Sequence, residues 1–460
     1  MTSTPTRLPG PTPLGHLRYL RGLLGDPYQA LLELNERYGE VCKFGVAGQH
    51  YVMLFGAEAN RLLLDDSPKR PRFLSRDVLS LLIPVVGSCA MVVSDGHEHR
   101  RRRSLVQPAF AYRRLQRYVP TMTAEVERML SAWEPGSTVD AFAAVRSCIR
   151  RIAIRCLFGE RLQEHTDVIG RELETALHYI NRSPFLRFDH DLPGTGYRKA
   201  VAARKRVDDL VRAEIDQRRA EPQDRGDVLE ALLTSCTHSG ERLSDLEVRD
   251  QVISLIASGY DSSSSAAGWA VYALLSRPEV YARVRAEVAR VAGDEPLTHA
   301  HLEAMDYVGW TIKEILRLHT PGVLTGRTAV EDVEFAGHTI PAGTKVLYSQ
   351  YVTHRMPSLF PDPLEFRPER WDPSAPDYRE PVPYSWVPFG GGYRHCIGFT
   401  FAELELRALI AELARRTELT LAVDSVAPVG VATMWPKGGV PVTVGSVHPP
   451  RSRDLAAEPA

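Results

Sequence analysis

The stretch from Val252 to Leu275 approaches the length of a membrane-spanning helix and carries a single formal charge, on Asp261. Its middle reads SGYDSSSS, and an aspartate at the centre of a bilayer costs roughly 2.5 to 3.5 kcal/mol. The stretch therefore predicts a helix that is buried within protein. A chain of 460 residues is long enough to form the large core that must surround such a helix.

Helical signals dominate the chain from residue 54 to about residue 320, with proline and glycine between the helical segments. Residues 41–54 predict a β-hairpin with a glycine in its turn, and residues 333–352 predict short strands. Residues 357–388 are rich in proline and aromatic residues, which predicts an irregular segment ordered by packing. No internal repeat or low-complexity linker divides the sequence, which favours one large, mainly α domain.

We expect residues 1–15 to form a flexible leader, residues 16–445 the domain and residues 446–460 a flexible tail. The N-terminus has prolines and threonines where a signal peptide has an apolar run, so we expect no membrane anchor. A formal net charge of -1 creates no overall field that would attract nucleic acid or anionic lipid. Six cysteines without a CxxC pair indicate free thiols in a reducing cytoplasm.

The sequence VPFGGGYRHCIGFTFAELELR, residues 387–407, places Cys396 after three glycines and just before an amphipathic helix. The N-terminus of a helix favours a negatively charged sulfur and lowers the pKa of the thiol. Glycines 390–392 let the backbone approach a flat partner. The residues alone leave three interpretations open: a metal ligand, a nucleophile or a buried structural cysteine. A nucleotide-binding loop fits poorly, because the third glycine and the Lys-Ser/Thr pair are missing.

The pattern Phe389-x-x-Gly392-x-Arg394-x-Cys396-x-Gly398 resembles the haem-binding signature of the cytochrome P450 family. The resemblance implies that Cys396 is the thiolate ligand of haem iron. It also implies that Arg394 binds a haem propionate and that Phe389 packs beside the sulfur. Thiolate ligation in this family favours cleavage of the O–O bond.

Glu314 and Arg317, in TIKEILRLH, are three residues apart in a predicted helix. From the residues alone they form a solvated ion pair worth about 0.2 to 0.5 kcal/mol, because the apolar residues lie on the opposite face. The pair is similar to the ExxR motif of the family. That resemblance implies a structural contact with Arg370 of the irregular segment, where Trp371 replaces the usual phenylalanine.

The sequence Ser258-Gly259-Tyr260-Asp261-Ser262 resembles the oxygen-groove motif in the long central helix of the family. The resemblance implies that Asp261 and Ser262 are catalytic and relay protons to bound dioxygen. From the residues alone, a capped or water-filled distortion of the helix is the alternative. Ser262 replaces the usual threonine and lacks the methyl group that fixes its rotamer, which bears on how electrons are coupled to product.

His99 and Arg103 are four residues apart and share one face of a predicted helix. They match the H-x-x-x-R pair of the family, which implies contact with the haem propionates, and Arg327 corresponds to a further propionate-binding arginine. The run Arg100–Arg102 is either a solvated patch or a contact for an acidic electron-donor protein. The neutral overall charge argues against nucleic acid.

The resemblance spans roughly residues 8–445 and is typical of soluble bacterial members. It implies the cytochrome P450 fold, a triangular, mainly α domain with small β-sheets, and the activity of a haem-thiolate monooxygenase. Implied cofactors are haem b (iron protoporphyrin IX) and O2 as co-substrate. Electrons would come from NAD(P)H through a ferredoxin and its reductase, or through a flavodoxin. We expect a cytoplasmic monomer that binds neither nucleic acid nor membrane.

The expected substrate is an apolar small molecule that is hydroxylated or epoxidised in secondary-metabolite biosynthesis. Expected pocket residues are Val86, Met91, Phe185, Tyr260, Val323 and Leu324. Two other functions remain open. The same fold can catalyse oxidative coupling or cyclisation without net oxygen insertion, or the chain can be a non-catalytic haem sensor or carrier.

Overall fold

The structure is a computed structural model that describes residues 8–46, 49–159, 162, 164–180, 190–223, 225–237 and 239–448. Its helices are α1 (Pro13–Gly25), α2 (Pro27–Tyr38), α3 (Ala57–Leu64), α4 (Arg76–Leu79), α5 (Ile83–Val86), α6 (Gly96–Val106), α7 (Tyr112–Leu115), α8 (Val119–Leu130), α9 (Ala141–Phe158), α10 (Thr166–Ile180), α11 (Gly196–Ala220), α12 (Val228–Thr234), α13 (Asp245–Leu275), α14 (Pro278–Val291), α15 (His299–Glu303), α16 (Asp306–Leu318), α17 (Gln350–Thr353) and α18 (Phe399–Arg416). Its strands are β1 (Val41–Val46), β2 (Gln49–Leu54), β3 (Phe73–Leu74), β4 (Thr138–Asp140), β5 (Thr325–Ala329), β6 (Val333–Phe335), β7 (His338–Ile340), β8 (Lys345–Tyr348), β9 (Thr417–Leu421), β10 (Pro428–Val429), β11 (Trp435–Pro436) and β12 (Pro441–Val447).

The long uncharged stretch forms most of α13, and this helix is buried nearly all round. A capping box starts the helix, because the Ser244 hydroxyl accepts the backbone N–H of Glu247 and the Glu247 carboxylate accepts that of Ser244. The helix packs against α9, α11, α16 and α18. Burial on all sides is typical of a core helix. Within the described ranges, none of the helices combines the length and the apolar character that crossing a membrane requires.

The largest sheet has five strands in the order β1-β2-β8-β5-β3. The predicted hairpin is confirmed, because β1 and β2 pair antiparallel with Val41 opposite Leu54. The predicted strand region 333–352 contains β6, β7 and β8, but its last residues form α17. Ser349 caps this helix by accepting the backbone N–H of Val352, which ends the extended conformation. The prediction of a mainly α chain with small sheets is confirmed.

The ends of the described chain pack into the same core as its middle. Helix α1 begins at Pro13, inside the predicted leader 1–15, because the Thr12 side chain accepts the backbone N–H of Gly15. Strand β12 extends to Val447, past the predicted domain end at 445, and pairs with β4 and β9. Residues 1–7 and 449–460, in the predicted leader and tail, lie outside the described residues.

Candidate active site

Cys396 lies between a 3-10 turn, Gly392–Arg394, and the first turn of α18. Its backbone N–H donates to the carbonyl oxygen of Phe389 over 2.9 Å. The residue keeps solvent-accessible surface although protein atoms surround it. Burial raises the pKa of the thiol, and the Gly398 N–H and the Arg103 charge oppose this. The expected lowering of the pKa is therefore absent, because desolvation outweighs the helix terminus, and a thiolate here needs a cation beside it.

Two of the glycines before Cys396 lie against the end of α3. Gly392 has φ +58°, and a Cβ there would lie 1.9 Å from the carbonyl oxygen of Leu64 at the end of α3. A Cβ on Gly391 would also approach Leu64, at 3.3 Å, whereas nothing lies within 4 Å of a Cβ on Gly390. Glycine is therefore required at position 392 by its close approach to the protein backbone of α3, and the approach of residues 390–392 to a flat ligand stays a prediction.

The four residues predicted to bind propionates come together around His99. His99 is 3% exposed, and its Nδ1 atom has no hydrogen-bond partner among the described residues. Burial lowers the pKa of His99 to about 3, and the charges of Arg394, Arg103 and Arg327 lower it further in the same direction. The imidazole is therefore neutral at physiological pH, and the three guanidinium groups carry the positive charge of the cluster.

The arginines of this cluster are only partly neutralised by the protein. Arg394 forms an ion pair with Asp95, and Arg327 donates to the carbonyl oxygen of Gly326 over 2.8 Å. Across the described ranges, no carboxylate lies within ion-pair distance of Arg103. Nε of Arg394 is also buried without a partner in the same residues. Unpaired nitrogen atoms and excess positive charge suit a ligand with two carboxylates, so these residues and the Cys396 thiol fit a haem.

Helix α13 presents one polar stripe to open space. Ser258 and Ser262 are exposed on this otherwise buried helix, and a Cβ on Gly259 would meet nothing within 4 Å. Each hydroxyl donates over 2.7 Å to the carbonyl oxygen four residues earlier, at Ser254 and Ser258. The stripe thus leaves room for a small ligand beside the hydroxyl of Ser262.

Asp261 faces away from this stripe and is 7% exposed. Its Oδ2 atom accepts a hydrogen bond of 2.5 Å from the Thr433 hydroxyl, and its Oδ1 atom is buried without a partner in the described residues. Burial raises the pKa of Asp261 to about 6, and Thr433 and Arg146 oppose the rise. Sequence reasoning missed Thr433, because it lies far along the chain in a loop with no periodic pattern.

Glu314 and Arg317 form a fully buried ion pair with two hydrogen bonds, of 2.9 and 2.8 Å. The Glu314 carboxylate also accepts the backbone N–H of Arg367 and the indole N–H of Trp371, each over 3.0 Å. The guanidinium of Arg370 lies 3.5 Å from the same carboxylate. The solvated ion pair predicted from helical phase is therefore wrong, because the irregular segment covers the second face of α16.

The run Arg100–Arg102 is occupied by contacts within the chain. Arg101 and Arg102 both form ion pairs with Glu247 in the first turn of α13. Arg100 donates to the carbonyl oxygen of Pro68. These side chains join α6 to α13, so the structure gives no support for their role as a contact with an electron donor.

The predicted pocket residues have different environments. Met91 and Leu324 are half-buried, Val86 is 5% exposed, and Val323 is fully buried. Phe185 lies outside the described residues.

Tyr260, one of the predicted pocket residues, is 1% exposed. The guanidinium of Arg146 lies 5.1 Å from the centre of its ring. Tyr260 therefore packs between α13 and α9, because it points to the opposite side of the helix from the open stripe. Val323 is likewise buried, with 0% of its surface exposed.

The family model described as cytochrome P450 matches residues 8–429. A putative cytochrome P450 139 from Mycobacterium tuberculosis is 41% identical over 394 residues, covering 85% of this chain and 91% of that protein. Cyclooctat-9-en-7-ol 5-monooxygenase from Streptomyces melanosporofaciens is 32% identical over 335 residues, covering 72% of each chain. The solved structure of retinoic acid bound cyanobacterial CYP120A1 matches with a TM-score of 0.87 and 28% identity, over 97% of this chain and 100% of that one. The predicted fold is thereby confirmed, and the chain belongs to the cytochrome P450 family as a monooxygenase that uses haem, dioxygen and electrons from redox partner proteins.

Proposed function

We propose that this enzyme inserts one atom of dioxygen into an apolar small molecule, by hydroxylation or epoxidation, as a tailoring step in secondary-metabolite biosynthesis. The observation that carries the proposal is the cluster of His99 with three arginines in a chain whose Cys396 keeps solvent-accessible surface. The similarity to a cyclooctat-9-en-7-ol 5-monooxygenase supports a cyclic terpenoid as the class of substrate to test first.

In this proposal the chain holds haem b through Cys396 and through the cluster around His99. Haem, when bound, supplies the reductive activation of dioxygen. The Cys396 thiolate, whose pKa burial raises, is stabilised by the iron cation and by the backbone N–H of Gly398. Arg103, Arg327 and Arg394 neutralise the propionates, and neutral His99 contributes a hydrogen bond.

Asp261 and Ser262 would move protons. A carboxyl group with a pKa of about 6 is found in both protonation states near neutral pH, so Asp261 can take a proton from solvent and release it. The Ser262 hydroxyl is held by the carbonyl oxygen of Ser258 and faces the open stripe. It would hold a proton at its Oγ atom on the open side of α13.

Electrons would come from NAD(P)H through separate proteins, either a ferredoxin with its reductase or a flavodoxin, to a cytoplasmic monomer. Family membership supports the dependence on redox partners. Reconstitution with each donor system in turn, measured as substrate-dependent NAD(P)H consumption, tests the choice. The donor that gives the higher ratio of product to NAD(P)H is the one that the enzyme uses.

The thiolate assignment is tested by Cys396→His. We expect this variant to lose the red-shifted Soret band of the ferrous carbonyl complex, because an imidazole does not donate charge as a thiolate does. Cys236→Ser is the matched control, since Cys236 is exposed and should leave the band unchanged. A band that persists in Cys396→His would show that another residue binds the iron.

The reaction type is tested with labelled dioxygen. A panel of cyclic terpenoids is screened for a change of haem spin state, and the products of binders are analysed by mass spectrometry. One labelled oxygen atom in the product supports insertion. An unlabelled coupled or cyclised product would show that the reaction is oxidative coupling and not oxygen insertion. NAD(P)H consumption that no substrate stimulates would indicate a non-catalytic haem protein.

The role of Asp261 is tested by Asp261→Asn, which keeps the shape of the side chain and removes the titrating group. We expect turnover to fall about 100-fold or more with haem content intact, because general acid–base groups contribute about 10²- to 10⁴-fold. Unchanged turnover would exclude Asp261 from proton delivery.

A further inference from the structure

We propose that Thr433 is a positioning residue for Asp261, and that its hydroxyl decides which carboxylate oxygen carries the proton and at which pH. The proposal rests on the proposed proton transfer by Asp261 and adds to it a group from a distant part of the chain. Thr433 lies in the turn, residues 430–434, that joins β10 to β11.

The contact between the two side chains is direct and shielded from water. The Thr433 hydroxyl donates to Oδ2 of Asp261 over 2.5 Å, and the two residues are 9% and 7% exposed. A hydrogen bond from a neutral donor to a carboxylate is stronger in such an environment than in water. This bond therefore fixes the orientation of the Asp261 carboxylate.

The turn that carries Thr433 is fastened to the body of the protein on both sides. On one side, the carbonyl oxygen of Met434 accepts a hydrogen bond from the indole N–H of Trp269 over 3.0 Å. The backbone N–H of Met434 donates to the carbonyl oxygen of Pro321 over 2.8 Å. On the other side, Gly430 has φ +92°, and a Cβ there would lie 2.2 Å from the carbonyl oxygen of Thr433. The turn is thus tight, and Thr433 is presented to α13 in a defined position.

The remaining charged groups near Asp261 largely neutralise one another. Arg146 of α9 forms an ion pair of 2.6 Å with Glu174 of α10, and its guanidinium lies over the rings of Tyr260 and Trp435. Arg146 favours the charged form of Asp261, while Glu174 opposes it. The Thr433 hydroxyl donates directly to the carboxylate, and the indole of Trp435 also favours the charged form of Asp261. Arg146 is already paired with Glu174, so it is not a free cation that could replace the hydroxyl.

The geometry also assigns the proton to one atom. Oδ2 accepts the Thr433 hydrogen bond, and Oδ1 has no partner in the described residues. When the carboxylate gains a proton from solvent, the proton binds Oδ1, and the Thr433 O–H continues to donate to Oδ2. When the proton leaves, the carboxylate is restored, so the Thr433 hydroxyl neither gains nor loses a proton in the cycle.

The hydroxyl stabilises the charged form of Asp261, so its removal must raise the pKa of the carboxyl group. Thr433→Val removes the hydroxyl and keeps the shape of the side chain, and Thr433→Ala removes it without adding bulk. Thr433→Ser keeps the hydroxyl and is the matched control. In the first two variants we expect the protonation midpoint of Asp261 to rise by about one pH unit, whereas Thr433→Ser keeps the wild-type midpoint.

The midpoint is measured on the haem-loaded enzyme by infrared spectroscopy of the protonated carboxyl band, with Asp261→Asn identifying the band. The acidic limb of the pH profile of turnover should move to higher pH by the same amount in Thr433→Val and Thr433→Ala. A midpoint that stays at the wild-type value in both variants overturns the proposal, as does an equal loss of turnover at every pH. Neither result affects the role of Asp261 itself, which Asp261→Asn tests separately.

Discussion

Glu405 in α18 is a buried acid, 1% exposed, and neither of its carboxylate oxygens has a hydrogen-bond partner among the described residues. It lies beside Cys148 and Cys156 of α9 and near Ser263 of α13. Burial raises the pKa of Glu405 to about 8, so the group is neutral at physiological pH. Burying a neutral carboxylic acid in an apolar core costs much less free energy than burying an unpaired carboxylate.

This protonation makes stability depend on pH. Between pH about 4.5 and pH about 8 the native state keeps the proton of Glu405 and the unfolded chain has lost it, so stability falls as pH rises through this window. The contribution is up to ~1.4 kcal/mol per pH unit, and we expect Glu405→Gln to remove it. Thermal unfolding of the holoprotein from pH 5 to 8 measures the slope, with the exposed Glu418→Gln as control. Equal slopes in wild type and Glu405→Gln would contradict a protonated Glu405.

Trp371 contributes to the buried ion-pair network, because its indole N–H donates to the carboxylate of Glu314 over 3.0 Å. We expect Trp371→Phe to lower the free energy of unfolding by about 1.5 to 3 kcal/mol, the usual value of a hydrogen bond to a charged group. Glu314→Ala should cost more, about 3 to 5 kcal/mol, because it leaves Arg317 buried without its partner. Guanidinium titration measures both.

The matched control is Glu365→Ala. Its exposed side chain is removed, and its backbone carbonyl still accepts a hydrogen bond from Arg317 over 3.0 Å. If Trp371→Phe is as stable as this control, the other donors to Glu314 are sufficient and the indole N–H contributes nothing.

Among the elements, the loop Gly87–Met91 is held to the first turns of α13 by side chains of that helix. The Cys89 N–H donates to Asp250, and the Met91 N–H donates to Gln251, each over 2.9 Å. The Gln251 amide returns a bond of 2.7 Å to the carbonyl oxygen of Cys89. Gly87 completes the contact, because a Cβ there would lie 2.2 Å from the Asp250 carboxylate.

We therefore expect Gly87→Ala to detach this loop from α13. Gly87 has φ +88°, so the substitution adds backbone strain to the collision with Asp250. Gly39→Ala separates the two effects, since Gly39 has φ +76° and nothing lies within 4 Å of its Cβ position. Hydrogen exchange of the amides of Cys89 and Met91 should accelerate in Gly87→Ala and stay at the wild-type rate in Gly39→Ala. A wild-type exchange rate in Gly87→Ala would show that the loop stays attached to α13.

Sequence periodicity predicted some elements well and others poorly, for physical reasons. Helix α13 was predicted because its lack of charge leaves burial as the only stable environment. Helical phase predicted that Glu314 of α16 is exposed to solvent. That prediction was wrong because the periodicity of one helix carries no information about the distant irregular segment that covers its polar face. The partner of Asp261 was missed for the same reason, since Thr433 lies in a turn whose position depends on tertiary contacts.

At the scale of the whole molecule, early and late parts of the chain share one core. Strand β12 pairs with β4, and Tyr28 of α2 donates to the carbonyl oxygen of Gly430 in the turn that carries Thr433. The family resemblance predicted this single fold from a few motifs. It did not predict that Tyr260 and Val323 are almost completely buried, because no motif specifies how these side chains pack.

A shared core predicts cooperative unfolding of the domain assigned to residues 16–445. We expect the guanidinium transitions seen by far-UV circular dichroism and by tryptophan fluorescence to coincide, because no half of the chain keeps its packing when the other half unfolds. Haem absorbance should change within the same transition. Two separated transitions would instead divide the chain into independently stable units.

The contact of Gly392 with the carbonyl oxygen of Leu64 bears on the engineering of haem proteins. Residues 387–398 form one continuous sequence motif. Their conformation nevertheless depends on contact with Leu64, the last residue of α3, which is distant in sequence. Grafting these residues into another scaffold would transfer the cysteine without the surface that shapes the loop around it. A successful graft would also need a backbone surface in the new scaffold that packs against Gly392 as Leu64 does.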